Sequence, residues 1–209
     1  FKAWFGDWEK SARIEKLRDS KPASISGKEI PISYDFRQNK KNALEYGKGL
    51  QGSYVNKDTG ASIQLQRGRK NGGLHEVLQH NYKDREHIQS IAAIPQIIEN
   101  SIYIDSEANK DIAKNPSVTE YQHYVCGLNI GGTDYTVLAT VAVDKDGSRY
   151  YDHNLTRIEK GKLLDQIKGQ AVNRESFDAM SGTNPTTLSG KDKRLISILQ
   201  TDSSKAVDE

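Results

Sequence analysis

The residue best placed for chemistry in this sequence is a histidine that has cations nearby. His80 ends an apolar helical stripe, and four cationic side chains lie close to it along the chain. An imidazole changes charge near neutral pH and can act as a general acid or base, and Arg and Lys bind phosphate through charge-assisted hydrogen bonds. The pattern favours proton transfer at a phosphate group, with a solvated or capping histidine in a polar loop as the alternative. The four cations are Arg69, Lys70, Lys83 and Arg85.

A second histidine, His153, ends a predicted strand in which alternate residues share a face. Arg149, Tyr151 and His153 lie on one side of that strand, and Thr156 follows it. A guanidinium, a phenol and an imidazole in a row can bind a phosphate and move a proton. An exposed strand with one polar side is the plain alternative.

A third histidine, His123, alternates with Tyr121 along another predicted strand, and this face is suited to stacking a nucleobase. A lone exposed strand histidine is the alternative there. The sequence contains no HExxH, no CxxC and no histidine pair with a carboxylate at the spacing of metal ligands. P-loop and GxGxxG patterns are also absent from it. We therefore expect neither a metal nor a cofactor.

The composition indicates a polar domain without membrane segments. The 209 residues can hold one core-bearing domain and a satellite segment, and 35% of them are hydrophobic and 28% charged. No run approaches the roughly 18 apolar residues of a membrane span. The net charge of +2 is too small to argue for nucleic-acid binding by itself. The single cysteine, Cys126, excludes an internal disulfide and predicts a cytoplasmic protein.

Hydrophobic periodicity and turn residues predict an order of helices followed by strands. Helices are predicted over 2–19, 37–48, 74–80, 84–98 and 158–168. Two short strands about Gly27 are predicted within 23–30, and a hairpin pairs 53–55 with 62–66. A meander of strands is predicted over 101–105, 119–130, 135–144 and 148–154.

This order predicts an α+β fold rather than alternating βαβ units. We expect helices packed on one face of a four-stranded antiparallel sheet, with an N-terminal helix and β-hairpins and a flexible C-terminal tail. The expected boundaries are 1–35 for a linker helix and hairpin, 36–168 for the core, and 169–209 for a largely flexible tail with a short helix at 192–199. The predicted buried positions include Ile91, Ile94, Tyr124, Cys126, Leu128, Ile130, Val137 and Val141.

Several phrases of the sequence resemble modules of the polyvalent proteins of phages and conjugative elements. Residues 1–9, FKAWFGDWE, are similar to an aromatic linker between such modules, and residues 191–200 are similar to the start of a following module. The intervening phrases resemble a large polyvalent-protein-associated domain of the barnase/EndoU/colicin/RelE-like nuclease superfamily. They include IAAIP at 91–95, YVCGL at 124–128 and YYDHNLT at 150–156. With no initiator Met, the chain is expected to be a piece of a longer mobile-element protein.

The resemblance implies an RNA-cleaving domain with RNA on the face of the sheet opposite the helices. Because the sequence has no metal-ligand pattern, we expect a metal-independent endoribonuclease that serves as a toxin-like effector module. In such an enzyme a base takes the proton of the 2′-hydroxyl, an acid protonates the 5′ leaving oxygen, and cations hold the phosphoryl oxygens. His80 matches the family's histidine before a polar turn, and we expect it to pair with His153. The expected partners are RNA, tRNA included, and an immunity protein or a neighbouring module.

Two other functions are alternatives to a nuclease. The first is an inactive adaptor that keeps the fold and docks another module or protein. The second is an ADP-ribosyltransferase, which would need a glutamate late in the sheet, where Glu159 is the only near candidate.

Overall fold

The computed structural model describes residues 12–66 and 85–162. Several sequence-based expectations therefore fall outside the described residues. They are the helix over 74–80, most of the N-terminal helix, and the C-terminal tail with its short helix.

The chain divides into two compact units, one made of Phe1–Asp19 and Lys162–Glu209 and the other of Ser20–Gly161. The described part of the first unit contains a helix over 12–19, here α1, where the sequence predicts one. The second unit contains the sheet and the remaining described helices. Its elements are β1 (Ala23–Ile25), α2 (Phe36–Lys48), β2 (Gly52–Val55), β3 (Ser62–Leu65), α3 (Arg85–Gln89), a 3-10 turn (Ser90–Ala93), α4 (Ile94–Asn100), β4 (Ile102–Ala108), β5 (Val118–Ile130), β6 (Thr133–Asp144) and β7 (Arg149–Lys160).

Local sequence signals explain where the helices begin. The Asp35 carboxylate accepts a hydrogen bond from the Arg37 backbone N–H at 2.9 Å and so caps the start of α2. Pro95 occupies the first turn of α4, where its fixed backbone angle suits a helix start and its missing N–H has no helical partner to lose. The predicted helix over 84–98 is therefore present as two short helices joined by a 3-10 turn.

The seven described strands form one mixed and strongly curled sheet in the order β1-β5-β6-β7-β3-β2, with β4 also paired to β5. Strands β4 to β7 pair antiparallel, as the meander predicts. However, β1 adds in parallel to β5, and the β2–β3 hairpin adds to β7 through a parallel contact of β3. The predicted fold, helices on a four-stranded antiparallel sheet, is therefore wrong. Periodicity identified the short strands but contains no information on their distant partners.

Two local predictions also need correction. Of residues 23–30 only Ala23–Ile25 form a strand, because Gly27 turns the chain at a φ of +77°. The predicted helix over 158–168 is wrong at its start, since β7 continues to Lys160 and Ile158 pairs with Val137. Cross-strand pairing outweighs local helix preference there.

The hydrophobic core lies between one face of the sheet and the helices. The helical segment, residues 85–100, consists of α3, the 3-10 turn and α4. Its isoleucine side chains pack into one cluster with inward residues of β5 and β6, and they are Ile88, Ile91, Ile94, Ile97 and Ile98. Ile130 is only half-buried and packs against the edge of this cluster. The predicted inward face of β5 and β6 is confirmed, because its residues belong to this cluster while their alternate neighbours do not. The predicted core residues that are buried are Ile91, Ile94, Tyr124, Cys126, Leu128, Val137 and Val141.

Candidate functional site

The last strand carries a wide bulge at the point where His153 stands. Leu138 pairs with Arg157 and Thr140 pairs with Asp152, so residues 153–156 of β7 lie opposite Ala139 alone. Three extra residues on one strand bend it and change the direction in which its side chains point. The alternation that places Tyr151 and His153 on one face therefore ends at His153.

The bulge is closed by hydrogen bonds of its own residues. The Thr156 hydroxyl donates to the Asp152 carbonyl at 2.8 Å and accepts from the Thr140 N–H at 3.3 Å. The Asp152 carboxylate accepts from the Leu155 N–H at 3.0 Å. Since Thr156 is buried and both sides of its hydroxyl are engaged, the geometry gives it a role in shaping the strand.

His153 is enclosed in the core beneath α3. Its Nε2 lies 3.4 Å from the carbonyl oxygen of His87, and its Nδ1 lies 3.1 Å from the Tyr151 hydroxyl. A carbonyl only accepts, so Nε2 carries the proton and Nδ1 accepts from the phenol. Burial holds the pKa of His153 well below its usual value, and the neighbouring His87 lowers it further, while the hydrogen bond to the His87 backbone acts in the opposite direction. His153 is therefore a neutral ring with both nitrogens in use.

His123 has a different environment on the other face of the sheet. Its Nδ1 lies 2.8 Å from Oδ1 of Asp105, and its Nε2 lies 3.9 Å from Oε1 of Glu107. Beside the Asp105 carboxylate, Nδ1 carries the hydrogen and donates it, so Nε2 is the acceptor nitrogen of the neutral ring. The exposed fraction of the His123 side chain is 11%, compared with 1% for residue His153 as a whole.

Strand register places four polar residues in one row across this face. Asp105 pairs with His123, His123 with Thr140, and Thr140 with Asp152. Only His123 of this row is a predicted site residue, because the pattern of one strand does not reveal its cross-strand partners. Glu107 was missed for a simpler reason: β4 was predicted to end at residue 105, which placed Glu107 in a loop.

The other predicted site residues are dispersed. Tyr121 is next to His123 on the same face, and its hydroxyl accepts from Asn115 Nδ2 at 2.8 Å. Arg149 is half-buried and donates to the Gly147 carbonyl, and Arg85 is exposed on α3. The remaining four, His80, Arg69, Lys70 and Lys83, lie outside the described residues, so the His80–His153 pairing stays a prediction.

Comparison with known proteins identifies the family. A model of large polyvalent protein-associated domain 3 matches residues 34–151, which is more than half of the chain. The chain belongs to this family. The match includes α2, the helical segment, β4 to β6 and the start of β7, and so contains the His123 row from Asp105 to Thr140. No curated protein and no solved structure matches the chain.

The described part of the chain contains neither a metal-binding cluster nor a membrane-spanning helix. Within 12–66 and 85–162, no three His, Cys, Asp or Glu side chains are arranged to hold a metal ion. The helices described there are all too short or too polar to cross a membrane.

Proposed function

We propose that this polyvalent-protein-associated domain is a metal-independent endoribonuclease with His123 as its general base. The observation that carries the proposal is the orientation of one imidazole. Asp105 holds Nδ1 at 2.8 Å, which leaves Nε2 to exchange the proton. A carboxylate that fixes the tautomer and orientation of a catalytic histidine is a recurrent arrangement in hydrolytic enzymes.

The chemistry requires two proton transfers. Nε2 of His123 takes the proton of the 2′-hydroxyl as its oxygen attacks phosphorus, and the bond from phosphorus to the 5′-oxygen breaks. The products are a 2′,3′-cyclic phosphate and a 5′-hydroxyl. The leaving oxygen takes its proton from a second group, and His80 is our candidate for that acid. Because imidazoles supply both proton transfers, the reaction needs no metal ion.

The surroundings of His123 favour a charged, polar reaction at this face. Glu107 Oε1 lies 3.9 Å from Nε2 and can stabilise the imidazolium that forms when the ring takes the proton. The Lys110 ammonium lies 3.6 Å from Glu107 Oε2, and its side chain is 83% exposed. It is a cation that can turn toward a phosphoryl oxygen. We further propose that the substrate is cytoplasmic RNA, tRNA included, in a host or recipient cell.

The test is cleavage of total RNA by the purified 209-residue chain in EDTA, followed by mapping of the cleaved ends. We expect cyclic phosphate or 3′-phosphate ends, and a loss of roughly 10²–10⁴ in rate for His123→Ala. Lys145→Ala, in the exposed β6–β7 turn, is the control and should cleave at the normal rate. Circular dichroism should show that both variants fold.

Three outcomes would contradict the proposal. Cleavage that EDTA abolishes and Mg²⁺ restores would show metal-dependent chemistry. Full activity in His123→Ala would show that another residue is the general base. No cleavage of any RNA by the folded chain would favour an inactive adaptor, whose partner would be an immunity protein or a neighbouring module.

A further inference from the structure

A cleft of about 500 Å³ opens where the start of α2 meets α3, on the helical side of the sheet. It lies away from His123, whose face of the sheet is the opposite one. Its lining combines apolar, aromatic, amide and cationic groups, a mixture that a purely apolar docking groove lacks. The lining residues are Ile32, Ser33, Tyr34, Phe36, Asn39, Arg85 and Ile88.

Two aromatic rings stand at this cleft. Tyr34 is completely exposed, with a relative accessibility of 112%, so its ring is open to a stacking partner. Phe36 is half-buried, and the Lys40 ammonium lies 5.1 Å from its ring centroid. An exposed ring beside a cation that already lies over a second ring is the pattern on which unpaired nucleobases stack.

In the described part of the chain one cation, Arg85, lines the cleft, and three more lie on helix α2 outside the lining. Lys40 is next to the cleft, because its ammonium lies over the ring of the lining residue Phe36. Arg37 and Lys41, by contrast, are two residues from Asn39 and lie on the far side of α2. Among the described residues none of the four forms an ion pair. Asp35, at the start of α2, uses its carboxylate to cap the helix. Arg85 is therefore the one charged side chain among the lining residues that the structure describes, and a cation there suits a polyanion.

We propose that this cleft binds single-stranded RNA, with one base stacked on Tyr34 and the adjoining phosphates held by Lys40 and Arg85. Stacking accepts any base, because each has an aromatic face, whereas the cations contact only the backbone. The site would therefore hold unpaired RNA without reading its sequence. It does not depend on cleavage at His123.

The test is the affinity of the full chain for a fluorescent 2′-O-methyl oligoribonucleotide, which offers no 2′-hydroxyl for cleavage. We expect Tyr34→Ala to weaken binding roughly five- to hundredfold, the range for loss of one stacked base. Tyr34→Trp should bind at least as well as the original chain. Ile112→Ala, which removes another exposed apolar side chain, should change nothing.

The phosphate contacts can be distinguished from the stacking contact by the salt dependence of the affinity. Lys40→Gln and Arg85→Gln should each weaken binding and reduce the slope of log affinity against log salt by about 0.7. Tyr34→Ala should leave that slope unchanged. Inorganic polyphosphate, which has no bases, should bind Tyr34→Ala as well as it binds the original chain.

Several results would overturn the proposal. An unchanged affinity in Tyr34→Ala would show that the binding is only non-specific and electrostatic. No binding of the oligonucleotide at all would show that the cleft is not an RNA-binding site. An acidic peptide that binds as tightly, with the same dependence on Tyr34, would make the cleft a protein-docking site. By contrast, an inactive chain that still binds RNA through Tyr34 would refute the nuclease proposal and support this one.

Discussion

The imidazole rings of His87 and His153 lie with their centroids 4.3 Å apart and their planes tilted by 38°. This contact joins the short helix α3 to the bulge of β7 across 66 residues of sequence. Both histidines are buried, and Tyr151 closes the other side of the His153 ring. Protonating both imidazoles at this distance would cost free energy because two positive charges would face each other. The packing of α3 against β7 therefore depends on pH.

Acid should therefore destabilise the fold. The pKa of His153 lies well below 6.5 in the folded chain, mainly through burial, and near 6.5 once the chain unfolds. Above pH 6.5 both states are neutral at this ring and the contribution is constant. Below pH 6.5 the unfolded chain binds a proton at this ring and the folded chain does not. The free energy of unfolding therefore decreases as the pH decreases, by up to about 1.4 kcal/mol per pH unit, until the pH reaches the folded pKa.

Urea unfolding at pH 7, 6 and 5 measures this slope. His153→Gln keeps a donor and an acceptor but cannot titrate, so its stability should fall less steeply than that of the original chain. The slope is the readout, because the substitution will also lower stability at pH 7. Equal slopes in the two proteins would show that His153 is not responsible.

The Thr156 hydroxyl should stabilise the bulge measurably. Thr156→Val keeps the side-chain shape but leaves the Asp152 carbonyl and the Thr140 N–H without this partner inside the sheet. We expect a loss of roughly 1–3 kcal/mol in the free energy of unfolding. Thr133→Val, at the half-buried start of β6, is the matched control and should cost much less. A loss no greater than in the control would mean that the bulge holds without this hydroxyl.

Cys126 should resist thiol reagents in the folded protein. It is fully buried in β5, and burial raises the pKa of its thiol to about 12, so almost no reactive thiolate exists near neutral pH. We expect an aromatic disulfide reagent to label it no faster than the chain unfolds, and rapidly in denaturing urea. Prompt stoichiometric labelling in native buffer would contradict its buried position.

The sequence allowed the meander and its inward face to be predicted because both are local properties. Alternation along β5 was enough to assign Tyr124, Cys126 and Leu128 to the core. The parallel additions of β1 and β3 could not be predicted in this way. Each depends on a partner far along the chain, such as Ile25 with Ile130 or Gln64 with Tyr150.

The candidate site shows the same division. His153 was correctly placed beside Tyr151, yet its burial comes from α3, which no pattern in β7 encodes. His123 was recognised by type, but the carboxylate that orients it belongs to β4. In addition, the bulge after Asp152 interrupts the two-residue period on which face assignments depend.

The Asp105–His123 contact gives the sharpest test of the proposed base. Asp105→Asn keeps the size of the side chain, but its amide can donate to Nδ1 and so favour the tautomer that carries the proton on Nε2. That nitrogen could then no longer accept the 2′-hydroxyl proton. Cleavage should fall by roughly 10²–10⁴, close to the loss for His123→Ala, and the double variant should be no slower than the worse single one.

The control for this prediction is Asp111→Asn, an equal change in the exposed loop between β4 and β5. It should cleave normally. Binding of the non-cleavable oligonucleotide should be similar in all these variants, since Tyr34 and its cations are untouched. If Asp105→Asn cleaves at the full rate, the carboxylate does not orient a catalytic ring. Its contact with His123 then only stabilises the sheet, and the base must be sought at another histidine.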